Sequence, residues 1–276
     1  MTALIDSHCH LDFPDLAKDQ DGVIARARAA GVVRMLTIST HITKARQVIE
    51  VAEKYPDVFC SIGVHPHHVA EEGQQVTAGA LAAQTGHPKI VALGETGLDY
   101  YYDTAPRARQ QESFREHLRA CITTGLPVIV HSRDAEEDTA RIIAEERHGH
   151  EGALTGVMHC FSSRRVLAEA ALGMGFYISF SGILTFKKSD ELRAIARDVP
   201  LDRLLVETDA PFLAPEPMRK QKTNEPALIV HTAAMLASVK GISPKQIAAA
   251  TTENFYRLFP KAQNSRHGGL TAGGDC

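Results

Sequence analysis

The sequence predicts a (β/α)8 TIM barrel, a single α/β domain with an extra helix at its C-terminal end. Three observations lead there. Eight short apolar, β-rich runs alternate with longer helix-like segments. The alternation occupies about 250 residues, the usual size of such a barrel. The first run is followed by His8-Cys9-His10, where an open doubly wound sheet would carry a Gly-rich phosphate loop.

The eight runs are Leu4–Ser7, Val33–Ile38, Val58–Gly63, Ile90–Leu93, Pro127–Val130, Gly156–Met158, Phe176–Phe180 and Leu204–Val206. Between them, Ala17–Ala30, Arg107–Thr123, Ala135–Glu146 and Ser189–Arg197 place apolar residues three and four apart, which puts one helical face on a core. Gly31, Gly125 and Gly173 follow such segments, where a left-handed cap is wanted. Strand, helix, strand in regular order means parallel pairing through right-handed crossovers. Two further helices, about Pro226–Val239 and Pro244–Phe259, close the fold. The second opens with Ser243-Pro244, an N-cap followed by Pro at the first helical position. The barrel is expected over residues 1–260, and the Gly-rich polar tail 261–276 is expected to be disordered.

Composition narrows the function. The net charge is −3, hydrophobic residues make up 44% and charged residues 23%, an ordinary globular mix. No apolar run approaches the ~20 residues of a membrane span, and MTALIDSHCH at the start has no secretory pattern. Five scattered cysteines without a C-x-x-C pair read as reduced thiols, and the chain is expected to be cytoplasmic. The acidic balance argues against broad charge-driven binding of long nucleic acids, while leaving room for short ends held by metal ions. No obligate protein partner is evident, so a monomer is expected.

The 14 histidines matter by position. His8 and His10 lie two apart at the end of a strand, on one face. Four other strands also end in a His or carboxylate: Glu95, His131, His159 and Asp209. In a barrel these ends converge on one mouth. Four imidazoles and two carboxylates are too many donors for one tetrahedral ion and suit two divalent cations sharing a carboxylate. Glu95 is the expected bridge. His8, His10, Glu95 and Asp209 are assigned to one ion, and Glu95, His131 and His159 to the other. Mixed nitrogen and oxygen donors suit Zn²⁺, Mn²⁺, Co²⁺ or Ni²⁺, with Mg²⁺ preferring more oxygen. Cys9 and Cys160 adjoin these donors and are expected to face away as buried structural thiols.

DSHCHLD at 6–12, GETGLDYY from Glu95, VIVHSRDA at 128–135, HCFS at 159–162, GFYISFSGI at 175–183 and VETDAPFLAP at 206–215 together resemble the TatD family of metal-dependent deoxyribonucleases. The resemblance runs from about residue 4 to residue 259. It implies an amidohydrolase-type TIM barrel, divalent metal dependence, a cytoplasmic location and hydrolysis of DNA phosphodiester bonds. It further implies 3′ to 5′ exonuclease action with a preference for single strands, and its metal ligands fall on the same six residues. The stretch Pro217–Pro226 departs from the family pattern: the usual Arg-Gly-Lys lacks its Gly and the loop is about one residue longer.

The expected reaction is attack of a metal-activated water on a phosphodiester. Asp209 is the candidate general base and Glu95 the bridging carboxylate. His65, at the end of the third strand, is a candidate to bind phosphate or protonate the leaving oxygen. Arg133 is a candidate phosphate contact, and Arg219 with Lys220 and Lys222 supplies loop cations, whereas Arg164 reads as a solvated surface charge. Tyr100, Tyr101 and Tyr102 could stack on a base or pack across the mouth. The rival enzyme reading is an amidohydrolase-type enzyme acting on a carboxylic ester, amide or lactone, since fold and metal site do not dictate substrate. A non-catalytic metal-binding module is the third reading.

Overall fold

The computed structural model describes residues 3–73 and 76–263. Eight strands run in chain order as one parallel sheet: β1 Leu4–Cys9, β2 Val32–Thr37, β3 Val58–Ile62, β4 Ile90–Asp99, β5 Val128–Arg133, β6 Gly156–Met158, β7 Tyr177–Phe180 and β8 Leu204–Val206. The sheet curls until its edges meet. Asp209 N donates to His8 O at 2.9 Å, His10 N donates to Ala210 O at 2.8 Å, and Cys9 bridges Ala210 in parallel. The expected barrel is therefore the observed one.

The helices are α1 Pro14–Ala17, α2 Gln20–Ala29, α3 Ala45–Lys54, α4 Val69–Glu72, α5 Ala78–Ala83, α6 Arg107–Thr124, α7 Glu136–Arg147, α8 Arg165–Gly173, α9 Asp190–Asp198, α10 Ile229–Lys240 and α11 Pro244–Leu258. The helix expected over Ala17–Ala30 is α2 at Gln20–Ala29: Ala17 ends the short α1, and Asp19, at φ −139°, precedes the first turn of α2. Gly125 takes φ +69° as the left-handed cap of α6, and Gly31 has φ +93° after α2. Gly173 does not cap its helix. It is the last residue of α8, and the positive-φ position is Gly175, two residues on. Ser243 caps α11 as expected: its hydroxyl accepts from Gln246 N, while Gln246 Oε1 accepts from Ser243 N at 2.9 Å. The expected tail begins with the short turn Pro260–Ala262, and residues 264–276 lie outside the described residues.

Every strand contributes to an apolar cluster inside the barrel: Ile5, Leu36, Phe59, Val91, Ile129, Val157, Tyr177 and Leu205. Phe255, Leu258 and Phe259 of α11 and its exit belong to that cluster and stopper the end opposite the mouth. Outside the barrel a larger cluster joins the helices to the outward strand faces. Alternation of inward and outward side chains along each strand produces both layers.

Two strands run longer than their apolar cores. β4 extends to Asp99 and β5 to Arg133, paired as Gly97↔His131, Leu98↔Ser132 and Asp99↔Arg133. Polar side chains can occupy this stretch because it rises into the mouth. The register slips by one residue between Leu93 and Thr96, a bulge that redirects the chain at Glu95. Gly97 has φ +134°, and a Cβ there would sit 2.0 Å from His131 O, so only glycine lets β4 press this close to β5.

His117 pins this wall from behind. It is fully buried on α6, its Nδ1–H donates to Ser113 O at 2.7 Å, and its Nε2 accepts from Val64 N at 3.1 Å. Burial pushes its pKa down to about 4. A depressed histidine contributes stability that is complete above its unfolded pKa of 6.5 and fades as the pH falls toward 4. The contribution is on the order of 3 kcal/mol. Urea titrations of wild type and His117→Ala from pH 7 to pH 4 should show wild type well ahead at pH 7 and the gap narrowing with acid. A gap that stays constant would contradict this role.

Candidate metal centre

The parallel barrel brings the C-terminal strand ends to one side, and all six expected donors meet there. His8 comes from β1 and His10 lies just past it. Glu95 comes from β4 and His131 from β5. His159 follows β6, and Asp209 follows β8. Glu95, His8, His10 and His159 are buried.

The donors fall into two groups. In the first, His8 Nε2 lies 3.3 Å from His10 Nε2, 3.5 Å from Glu95 Oε2 and 3.6 Å from Asp209 Oδ1, and His10 Nε2 is also 3.6 Å from Asp209 Oδ1. In the second, Glu95 Oε1 lies 2.7 Å from His159 Nε2 and 3.2 Å from His131 Nδ1, which are 3.4 Å apart. The two oxygens of Glu95 thus face different groups. Donors bound tetrahedrally at ~2.0–2.1 Å sit about 3.3 Å from one another, which both groups approach.

The far side of each ring supports this orientation. His131 turns Nε2 to Asp99 Oδ2 at 3.1 Å, His159 turns Nδ1 to Glu207 Oε1 at 3.3 Å, and His10 turns Nδ1 to Ile38 O at 3.2 Å. Each of these nitrogens faces an acceptor, which turns the opposite nitrogen of the ring into the mouth. His8 Nδ1 is buried without a partner. The residues present therefore fit a pair of divalent cations.

His65 differs. Its Nδ1 accepts from His67 N at 3.1 Å, so the neutral ring carries its proton on Nε2, which faces Glu95 Oε1 at 3.4 Å. Burial pushes His65 down to about 4. It is a neutral hydrogen-bond donor near pH 7.

Burial opposes charge throughout the mouth, but neighbours outweigh it at several groups. The neighbouring His159, with hydrogen bonds from His131 and His159, holds Glu95 well below the usual carboxylate range despite its burial. The facing charges of Glu95 and Glu207 lift His159 despite its burial. Glu95, Asp99, Glu207 and Asp209 are contacted by imidazoles, with no Lys or Arg ion pair among the described residues.

His10, Glu95, His131, His159 and Asp209 line a cavity of about 850 Å³. Arg133 lines it, its guanidinium 4.0 Å from the Tyr101 ring centre and 4.7 Å from that of Tyr102. Tyr101 and Tyr102 are exposed, and Tyr102 lines the cavity. Tyr100 is committed elsewhere, donating to Asp138 Oδ2 at 2.7 Å. Phe13 and Phe212 form the opposite rim, with Phe13 stacked on His10 at 4.5 Å.

Two expectations need correction. Cys9 does face away, toward Leu36 O, but Cys160 lines the cavity. Its φ of +43° turns the chain after β6, and its Sγ sits 3.1 Å from Ser181 Oγ. Arg219 is not among the lining residues: it is exposed and its guanidinium lies 3.5 Å over the Phe186 ring. Lys220 and Lys222 are likewise exposed and outside the lining, and Arg164 pairs with Glu136 at 3.3 Å.

Reading strand ends alone missed Asp99, Glu207, His67 and Asn224. Asp99 stands four residues beyond Glu95 on one strand and Glu207 two before Asp209, so strand parity was the available signal. Asn224 Nδ2 donates to Thr208 O and Phe212 O, holding the loop that carries Asp209.

A family model described as "TatD related DNase" matches residues 5–260. The chain is 46% identical over 259 residues to a protein of Escherichia coli K12 named an uncharacterized metal-dependent hydrolase, YcfH, covering 93% of this chain and 95% of that one. It is 33% identical over 260 residues to the 3′-5′ ssDNA/RNA exonuclease TatD of Salmonella typhimurium, covering 93% and 98%. The crystal structure of YJJV, a TatD homologue from Escherichia coli K12, superposes with a TM-score of 0.84 at 30% identity, covering 93% and 98%. By this match along nearly its whole length, the chain belongs to the TatD family of metal-dependent hydrolases.

Proposed function

We propose that this hydrolase cleaves phosphodiester bonds at the 3′ ends of single-stranded DNA, with His8, His10, Glu95 and Asp209 holding one divalent cation and Glu95, His131 and His159 a second. The observation that carries the reading is the charge of the mouth. Its lining sets Glu95, Asp99, Asp134 and Asp209 against one guanidinium, Arg133, while Glu136 is already paired with Arg164. An anionic phosphate is repelled from such a surface unless cations occupy it. The nuclease name of the Salmonella relative points the same way.

Divalent ions bound there supply Lewis acidity, lowering the pKa of an attacking water and neutralising charge on phosphoryl oxygens. The chain's own residues do the rest. Asp209, partly open to the cavity, accepts the proton of that water. His65 donates Nε2–H to a phosphoryl oxygen. With its pKa lowered to about 4 by burial, it holds phosphate as a neutral donor, and the proton taken up by Asp209 passes on to the leaving oxygen. Arg133, held against Tyr101 and Tyr102, offers its fork to the next phosphate, and the exposed tyrosines offer faces to a base. Because Glu95 is buried at the floor, the scissile bond must enter the mouth. A free strand end can do so, whereas the middle of a duplex cannot.

Chelated protein should neither bind nor cut a 5′-labelled single-stranded oligonucleotide, and add-back of Mg²⁺, Mn²⁺, Co²⁺ or Zn²⁺ should restore both, with products shortening from the 3′ end. Failure to cut with every metal, alongside turnover of a carboxylic ester, would instead establish the ester-hydrolase reading. Asp99→Asn should weaken metal affinity about 10- to 100-fold, because its new amide would face His131 Nε2–H and His67 in place of an acceptor. Activity should return at high metal concentration. A variant with unaltered metal affinity would show that Asp99 does not orient His131.

A further inference from the structure

A separate donor cluster lies beside the mouth. His41 follows β2, His68 ends the turn after β3, and Glu71 sits on α4. His41 Nε2 is 3.6 Å from Glu71 Oε2, and His68 Nδ1 is 3.6 Å from Glu71 Oε1. One carboxylate thus directs one oxygen at each imidazole, and the three donor atoms lie within 4.8 Å of one another.

These contacts are too long for hydrogen bonds and close to the ~3.3 Å spacing of donors around a tetrahedral ion. His68 Nδ1 is closed off from solvent and has no hydrogen-bond partner. His41 Nδ1 is engaged with Thr40 Oγ1 at 2.9 Å, which leaves Nε2 aimed at Glu71. The two rings stack with centres 3.8 Å apart, an arrangement that disfavours protonating both. Glu72 is no competitor, since its oxygens accept from Thr43 Oγ1 at 2.6 Å and Thr43 N at 3.1 Å. A protein donor set of two imidazoles and one carboxylate, with the remaining positions open, suits Zn²⁺.

We propose that His41, His68 and Glu71 bind a further divalent transition-metal ion, distinct from the pair at the barrel centre. His68 lines both the mouth and an adjoining cavity of about 680 Å³ beside α3, which His41, Lys44 and Gln47 also line. The ion therefore stands at the junction of the two spaces with coordination positions left for water or for an anionic group. That an anionic group would be a substrate phosphate rests on the phosphodiesterase reading. The metal site itself does not.

The test is equilibrium dialysis of the full chain against Zn²⁺, with metal per chain measured for wild type, Glu71→Gln and His41→Ala. Each variant should hold one equivalent less than wild type. Equal metal content in wild type and both variants would overturn the site. Glu71 is exposed, so Glu71→Gln leaves the packed fold alone and remains informative even if His41→Ala fails to fold. If the barrel centre holds fewer ions than read above, the totals fall, but the difference between wild type and Glu71→Gln persists. The two readings therefore fail separately.

Discussion

The molecule is organised around buried negative charge that lacks an ordinary counter-charge. Glu95, Asp99 and Glu207 are buried and Asp209 nearly so, and their ion-pair partners among the described residues are imidazoles. Burying carboxylates without compensation costs several kcal/mol each. Imidazoles relieve this only in part, because burial opposes their charging even where Glu95 and Glu207 lift His159. Cations held between the carboxylates and the imidazoles would resolve the conflict, and under the proposed function they would also draw phosphate into the mouth. On the proposed reading, one electrostatic constraint underlies both the structure of the centre and its chemistry.

The barrel makes the constraint tolerable by rigidity. Parallel pairing sends every strand end to one side, and the β4 bulge with Gly97 brings Glu95 and His131 together. Closure between β1 and β8 places His8 O against Asp209 N. The stopper of Phe255 and Phe259 fills the other end, so the polar mouth rests on a packed apolar floor. His131, His159 and His10 are braced by Asp99, Glu207 and the Ile38 carbonyl, and Asn224 holds the loop that carries Asp209.

Much of this was legible in the sequence because it follows from periodicity. Apolar runs marked the strands, and the polar residues ending them marked the donors, since strand ends in a parallel barrel share one side. What periodicity does not encode was harder to read. The extension of β4 to Asp99 depends on pairing with β5. Gly173 looked like a cap, yet α8 runs through it and the turn is made by Gly175. Cys160 follows a donor and was placed facing outward by strict alternation, but the chain leaves the strand at His159 and the alternation ends with it. Arg219 was placed near the mouth by sequence proximity to Asp209, whereas its loop lays it across Phe186.

The most direct test is an anomalous-scattering map from crystals grown with Zn²⁺ or Mn²⁺. The account predicts two peaks at the barrel mouth about 3.5–4 Å apart, one against His8, His10 and Asp209 and one against His131 and His159, with the Glu95 carboxylate between them. A mouth with no peak, or with a single peak and Glu95 turned away from it, would contradict the account.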